Sequence, residues 1–277
     1  MYGDLTVACL ADDHFMLFGS GAIQEAHGRW FKQHLPGTGV AYRNLSDDLH
    51  GIAIAGPRSR ELLAALSRDD VGSEAFRFMD IRKSFVAGVP AIIARVSFSG
   101  ELGYEIYVEP PYQRRLAEAI DEAGAALNLA WYGARALMSM RLEKAWGVWT
   151  LDYRPDFSAA ESGLDAFIQW DKAFIGKAAA EMERATGPQK KLVTLVVETT
   201  DRDVSNDEAV LVGDTAVGYA SSGGYAHSLG KSMAFAYVPT ALAVAGTRVD
   251  VEINGKRYGA QVQAGALYDP KGLRMRS

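Results

Sequence analysis

Cysteine is nearly absent from this chain. A single residue, Cys9, stands among 277. That excludes an intrachain disulfide framework and a zinc site built from several thiolates. Cys9 lies in the apolar run Val7-Ala8-Cys9-Leu10, a setting that predicts a small buried hydrophobe. No stretch approaches the ~20 consecutive apolar residues of a membrane helix. The start, Met1-Tyr2-Gly3-Asp4, has neither the basic nor the apolar segment of a secretory signal. Positive charge is also in short supply. The formal net charge is -5, whereas phosphate binding wants clustered Lys and Arg. Nucleic acid and membrane are therefore left out as partners, and a cytoplasmic location is expected.

Several signatures of nucleotide, metal and acyl chemistry are missing. Gly19-Ser20-Gly21 has Gln24 where the third glycine of G-x-G-x-x-G belongs, and Gly37-Thr38-Gly39 has Tyr42 there. There is no P-loop and no G-x-S-x-G elbow. The histidines His14, His27, His34, His50 and His227 form no H-x-x-x-H or H-E-x-x-H pair. His27 and His34 read as structural or surface residues, and no metal site is indicated.

What is present is an ordinary globular balance, 48% hydrophobic and 23% charged, on a chain long enough for more than one domain. Strands are expected over 5–10, 14–18, 52–55 and 103–108, and over 86–97 with an internal break at Gly88-Val89-Pro90. Helices are expected over 22–35, from Pro57 through Leu66, over 112–127 and over 134–146. Residues 150–163 read as an irregular connection. A polar linker at 185–191, with Gly187-Pro188, marks a boundary. Beyond it come short strands, and Asn254-Gly255 is a hairpin signal. This part reads as a small antiparallel barrel. The fold class is α+β, divided into residues 1–186 and 190–277.

Four segments carry candidate chemistry. Asp4 precedes an apolar strand, and on the bare sequence it reads as a solvated carboxylate. In Ser97-Phe98-Ser99-Gly100-Glu101-Leu102-Gly103-Tyr104-Glu105-Ile106, alternation puts Tyr104 and Ile106 on one face and Glu105 on the other. A carboxylate beside aromatics suits a flat, donor-rich ring such as a pterin, whose N–H and amino group one carboxylate bridges. A hairpin with a solvated Glu fits equally well. Arg135 lies near a helix start, where the dipole disfavours a cation unless an anion is held there. It is a ligand candidate, or the partner of Glu143 or of a loop acid. Arg141 and Lys144 read as structural or surface charges. Ser221-Ser222-Gly223-Gly224-Tyr225-Ala226-His227 reads as a flexible turn in the barrel, either a ligand contact or simply a hairpin.

Taken in order, these segments resemble the glycine-cleavage T-protein (aminomethyltransferase) family along nearly the whole chain. Tyr2-Gly3-Asp4-Leu5-Thr6-Val7 is similar to the family's strand start. Phe98 to Glu105 is similar to its Tyr-Thr-Gly-Glu-x-Gly-x-Glu signature. Ala134-Arg135 through Arg141-Leu142-Glu143 resembles its Ala-Arg-x-x-x-x-Arg-Leu-Glu helix. Glu161-Ser162-Gly163-Leu164, Asp171-Lys172-Ala173-Phe174-Ile175-Gly176-Lys177, Ser222-Gly223-Gly224-Tyr225 and Ala234-Phe235-Ala236-Tyr237-Val238 match later elements. Within the family, Arg141 to Gly147 and Asp152-Tyr153-Arg154-Pro155-Asp156 look most like the dimethylglycine/sarcosine oxidoreductase branch.

The resemblance implies T-protein-like folate-binding subdomains followed by the barrel. It implies tetrahydrofolate as cofactor and one-carbon transfer giving 5,10-methylenetetrahydrofolate. It implies Asp4 as the catalytic carboxylate, Glu105 as the pterin-binding glutamate with Phe98 and Tyr104 beside it, and Arg135 as an arginine near the folate. Phe98 stands where the family has Tyr, which removes a phenolic O–H and keeps the ring surface. The implied partners are a small N-methyl or aminomethyl donor and an FAD-containing dehydrogenase subunit. The family's segment ahead of the Asp-bearing strand and the oxidoreductases' FAD domain are not in this sequence. The first subdomain is therefore expected to be shortened, with Asp4 frayed unless a partner covers it. A non-catalytic folate-binding module and a folate-dependent demethylase stay open beside the transferase.

Overall fold

The structure is a computed structural model that describes residues 2–277. The chain forms two compact units. A sheet unit holds Leu5–Tyr132 and Lys271–Ser277, and a barrel unit holds Gly133–Pro270 with the described residues up to Asp4. This division rests on compactness. The linker at 185–191, read from composition, falls inside the barrel unit.

In the sheet unit, β1 (Thr6–Ala11) and β2 (His14–Phe18) make a two-stranded ribbon. Cys9 pairs with Phe15, and Val7 with Leu17. All four lie on the ribbon's exposed face, while Ala8 is buried. The expected burial of Cys9 is thus corrected. The apolar run 7–10 is a strand, and its period of two turns alternate residues outward. Helix α1 (Gln24–His34) buries His27 beside Phe31.

The unit's main sheet has the order β3-β6-β5-β4, from β3 (His50–Ala55), β4 (Ile81–Val86), β5 (Val89–Ala94) and β6 (Gly103–Val108). The strand expected over 86–97 is instead the second arm of a hairpin. Its turn is Ala87-Gly88, with φ of 52° and 77°, the geometry that suits two-residue hairpin turns. Helices α2 (Ser59–Leu66) and α3 (Gln113–Gly124) lay Leu62, Leu63, Leu116 and Ile120 on Ile54, Tyr104, Ile106 and Val108. This core fixes the facing of β6. Tyr104, Ile106 and Val108 turn inward, and Glu105 and Tyr107 turn to the other face.

In the barrel unit, helices α4 (Ala134–Glu143) and α5 (Lys177–Thr186) accompany a closed antiparallel barrel, the expected architecture. Its strands are β7 (Lys190–Val197), β8 (Ala209–Val212), β9 (Thr215–Ala226), β10 (Lys231–Pro239), β11 (Arg248–Ile253) and β12 (Lys256–Val262), in the order β10-β7-β12-β11-β8-β9. Asn254-Gly255 turns the β11–β12 hairpin with φ of 49° and 76°. The flexible turn expected at 221–227 is corrected: residues up to Ala226 continue β9 and pair with β10. A Cβ at Gly223 would lie 2.6 Å from the Val204 carbonyl oxygen. Glycine there permits close backbone approach within a strand.

Candidate functional site

The sheet unit supplies one candidate patch on the outward face of β6. Glu105 is half-buried there, and the Tyr107 hydroxyl donates to its Oε2. Burial, followed by the Glu105 charge, pushes the Tyr107 phenol well above its ordinary range. It therefore stays a donor. Among the described residues, Oε1 of Glu105 has no partner. The Phe18 ring lies 4.9 Å from the Tyr107 ring. Tyr132 shares this electrostatic setting. Its phenol is raised by burial and then by Glu105. An oriented carboxylate with one open oxygen, set among aromatic rings, fits a flat ring bearing adjacent N–H donors.

Phe98 is half-buried in the loop between β5 and β6. Tyr104 is elsewhere. It is 1% exposed, stacks on Phe76 at 5.8 Å in the core, and its hydroxyl has no partner among the described residues. Of the two tyrosines flanking Glu105, Tyr107 stands with the carboxylate, and its signal was the spacing of two. An open groove of about 950 Å³ also borders Tyr107, with Leu49, Lys83, Phe85, Pro90 and Ile92. Glu105 does not line it, and Tyr107 is the residue that the groove and this patch share.

The barrel unit holds Asp4 and Arg135. Asp4 is half-buried, and desolvation raises its carboxyl above the ordinary value of 3.8. Its charge adds to burial in raising the phenol of Tyr153, whose oxygen accepts the Gly147 N–H at 3.1 Å. Arg135 is exposed in the first turn of α4 and makes no ion pair among the described residues. Glu143 does not pair with it. That carboxylate is buried and accepts the Ser228 N–H at 2.8 Å.

Arg141 is structural. It meets Asp152 at 2.5 Å with both side chains at most 1% exposed. Asp152 also accepts Ser221 Oγ at 2.5 Å, Ser222 Oγ at 2.6 Å and the Val148 N–H at 2.9 Å. Lys144 is half-buried with its ammonium 5.6 Å from the Trp146 ring centre, and burial lowers it to about 8.

Residues 1–172 match the family model of the GCVT N-terminal domain, and residues 190–269 that of the glycine cleavage T-protein C-terminal barrel domain. The chain belongs to the glycine-cleavage T-protein family. This T-protein chain is 35% identical over 267 residues to the mitochondrial dimethylglycine dehydrogenase of Homo sapiens. The match covers 95% of the chain and 31% of the dehydrogenase. It thus spans about a third of such relatives. It is 28% identical over 271 residues to the aminomethyltransferase of Desulfitobacterium hafniense (strain Y51), covering 97% of this T-protein chain and 73% of that enzyme. Its fold matches the crystal structure of glycine cleavage system aminomethyltransferase T from Bartonella henselae. The TM-score is 0.85 at 24% identity, over 98% of this chain and 73% of that one.

Proposed function

We propose that this T-protein chain carries out tetrahydrofolate-dependent one-carbon transfer of the aminomethyltransferase type, with 5,10-methylenetetrahydrofolate as product. The observation that carries this reading is Glu105, oriented through one oxygen by Tyr107 and left with the other open. Bound tetrahydrofolate supplies two amines, N5 and N10, that together take up a methylene-level carbon. Glu105 grips the pterin edge, and Tyr107 holds Glu105 in place. Phe98 offers a ring surface. A carboxylate oxygen of Asp4 takes the proton of the attacking amine and offsets positive charge as it develops. Desolvation makes that oxygen a stronger base than an exposed aspartate. Arg135, a cation in the first turn of α4, suits an anionic group that repays its place at the positive helix end. Positioning supplies most of the remaining rate.

The donor in this reading is a small amine, either one that carries an aminomethyl group already at the methylene level or an N-methyl amine that an FAD-containing dehydrogenase subunit first oxidises by two electrons to that level. The support is that 95% of the chain matches within dimethylglycine dehydrogenase. The test is a tetrahydrofolate titration run beside a turnover assay with an aminomethyl donor. Asp4→Asn is expected to bind tetrahydrofolate as the parent does and to lose turnover by about a hundredfold or more. Full turnover in Asp4→Asn overturns the assignment of Asp4. Binding without turnover in the parent protein leaves a non-catalytic folate-binding module.

A further inference from the structure

The segment Lys271–Ser277 belongs to the sheet unit, although the barrel precedes it in the chain. It contains the short helix α6 (Leu273–Arg276). Arg60 and Arg95 both donate to a main-chain oxygen of Ser277, each at 2.5 Å. Arg95 is buried and also donates to the Phe76 carbonyl, so this clamp is rooted in the core. The Arg276 guanidinium lies 5.8 Å from the Phe78 ring centre. Nη1 of Arg274 lies 3.3 Å from both carboxylate oxygens of Glu101.

Glu101 sits in the loop that carries Phe98 and feeds directly into β6 and Glu105. Inside that loop the hydrogen bonds are local. Ser97 Oγ donates to the Glu101 carbonyl, the Gly100 N–H donates to Ser97 Oγ at 3.0 Å, and the Glu101 N–H donates to Ser99 Oγ at 3.3 Å. Such bonds set the loop's shape. The loop's far end is tied down through the Leu102 carbonyl, which accepts the Gly56 N–H at 2.8 Å and Ser59 Oγ at 3.0 Å. Arg274 adds a tie from a segment remote in sequence.

We propose that residues 271–277 form a strap that holds the Ser97–Leu102 loop against local opening, and that Arg274, through Glu101, is a positioning residue for Phe98 and Glu105. The link to ligand rests on the reading that those two residues hold folate. Segments with few anchors open locally, and each added tie lowers the open population.

The test uses hydrogen–deuterium exchange and tetrahydrofolate titration on the parent, Arg274→Ala and Arg274→Lys. Arg274→Ala is expected to exchange about threefold faster at 97–102, with β10 unchanged, and to bind tetrahydrofolate about three- to fivefold more weakly. Arg274→Lys, which keeps the charge, is expected to restore both. Turnover at saturating folate stays at the parent level. Unchanged exchange in Arg274→Ala overturns the strap. Faster exchange with unchanged affinity overturns the positioning role. A parent protein that binds no tetrahydrofolate removes the proposed function, and the exchange rates alone then decide the strap.

Discussion

Glu105 and Tyr107 share a face of β6, and Tyr104 is turned into the core. The alternation was readable in Gly103–Val108, yet the family motif ends on Glu105 and draws the eye to Tyr104. The pleat selects the tyrosine two positions on. Lys144 is a second case in which a local setting decides behaviour. Its ammonium is partly withdrawn from water beside Trp146, and burial lowers it to about 8. The unfolded chain holds that proton up to about 10.5, the ordinary lysine value. Between pH 8 and 10.5 the unfolded state therefore binds more protons, and stability rises with pH. The gain is complete above 10.5 and is lost as pH falls through 8. Lys144→Met is expected to flatten this rise in urea unfolding measured from pH 7.5 to 10.5. An unchanged slope in the variant would show that the lysine is not desolvated.

At the scale of elements, β9 is the segment whose composition points furthest from its structure. Ser221-Ser222-Gly223-Gly224 has a turn's composition, but its serines serve a buried carboxylate supplied from residue 152. Nothing local in either segment announces that pairing. Strand β4 was hidden in a similar way, because Arg82-Lys83-Ser84 is polar at the sheet's edge. The β11–β12 hairpin was legible, since Asn-Gly carries its own turn geometry. The Asp152 network links α4, the 148–152 turn and β9, so its loss has a calculable size. Asp152→Ala leaves the Arg141 guanidinium buried without its counter-charge and removes the acceptor of two buried hydroxyls. Such a broken pair costs about 3–5 kcal/mol. Chemical denaturation is expected to show a loss of that size, and the double variant Arg141→Met, Asp152→Leu is expected to recover much of it. A loss below about 1 kcal/mol in the single variant would contradict the assignment of a structural role.

For the whole molecule, the family was legible because motifs recur in a fixed order, from Asp4 through the 98–105 signature to the barrel strands. No single motif carried it. The α+β class and the barrel followed from hydrophobic periodicity and turn residues. The compact units were not legible. Residues 2–4 lie with the barrel and residues 271–277 with the sheet, and such long-range returns leave no trace in local composition. Turnover, product and partner all depend on whether the chain binds reduced folate through Glu105. Isothermal titration of tetrahydrofolate into the parent chain and Glu105→Gln, at matched thermal stability, measures this directly. A hydrogen bond to a charged group is worth about 1.5–3 kcal/mol, so the amide is expected to weaken binding about ten- to a hundredfold. Equal affinity in the two proteins would contradict the assignment of Glu105 as the pterin-binding group.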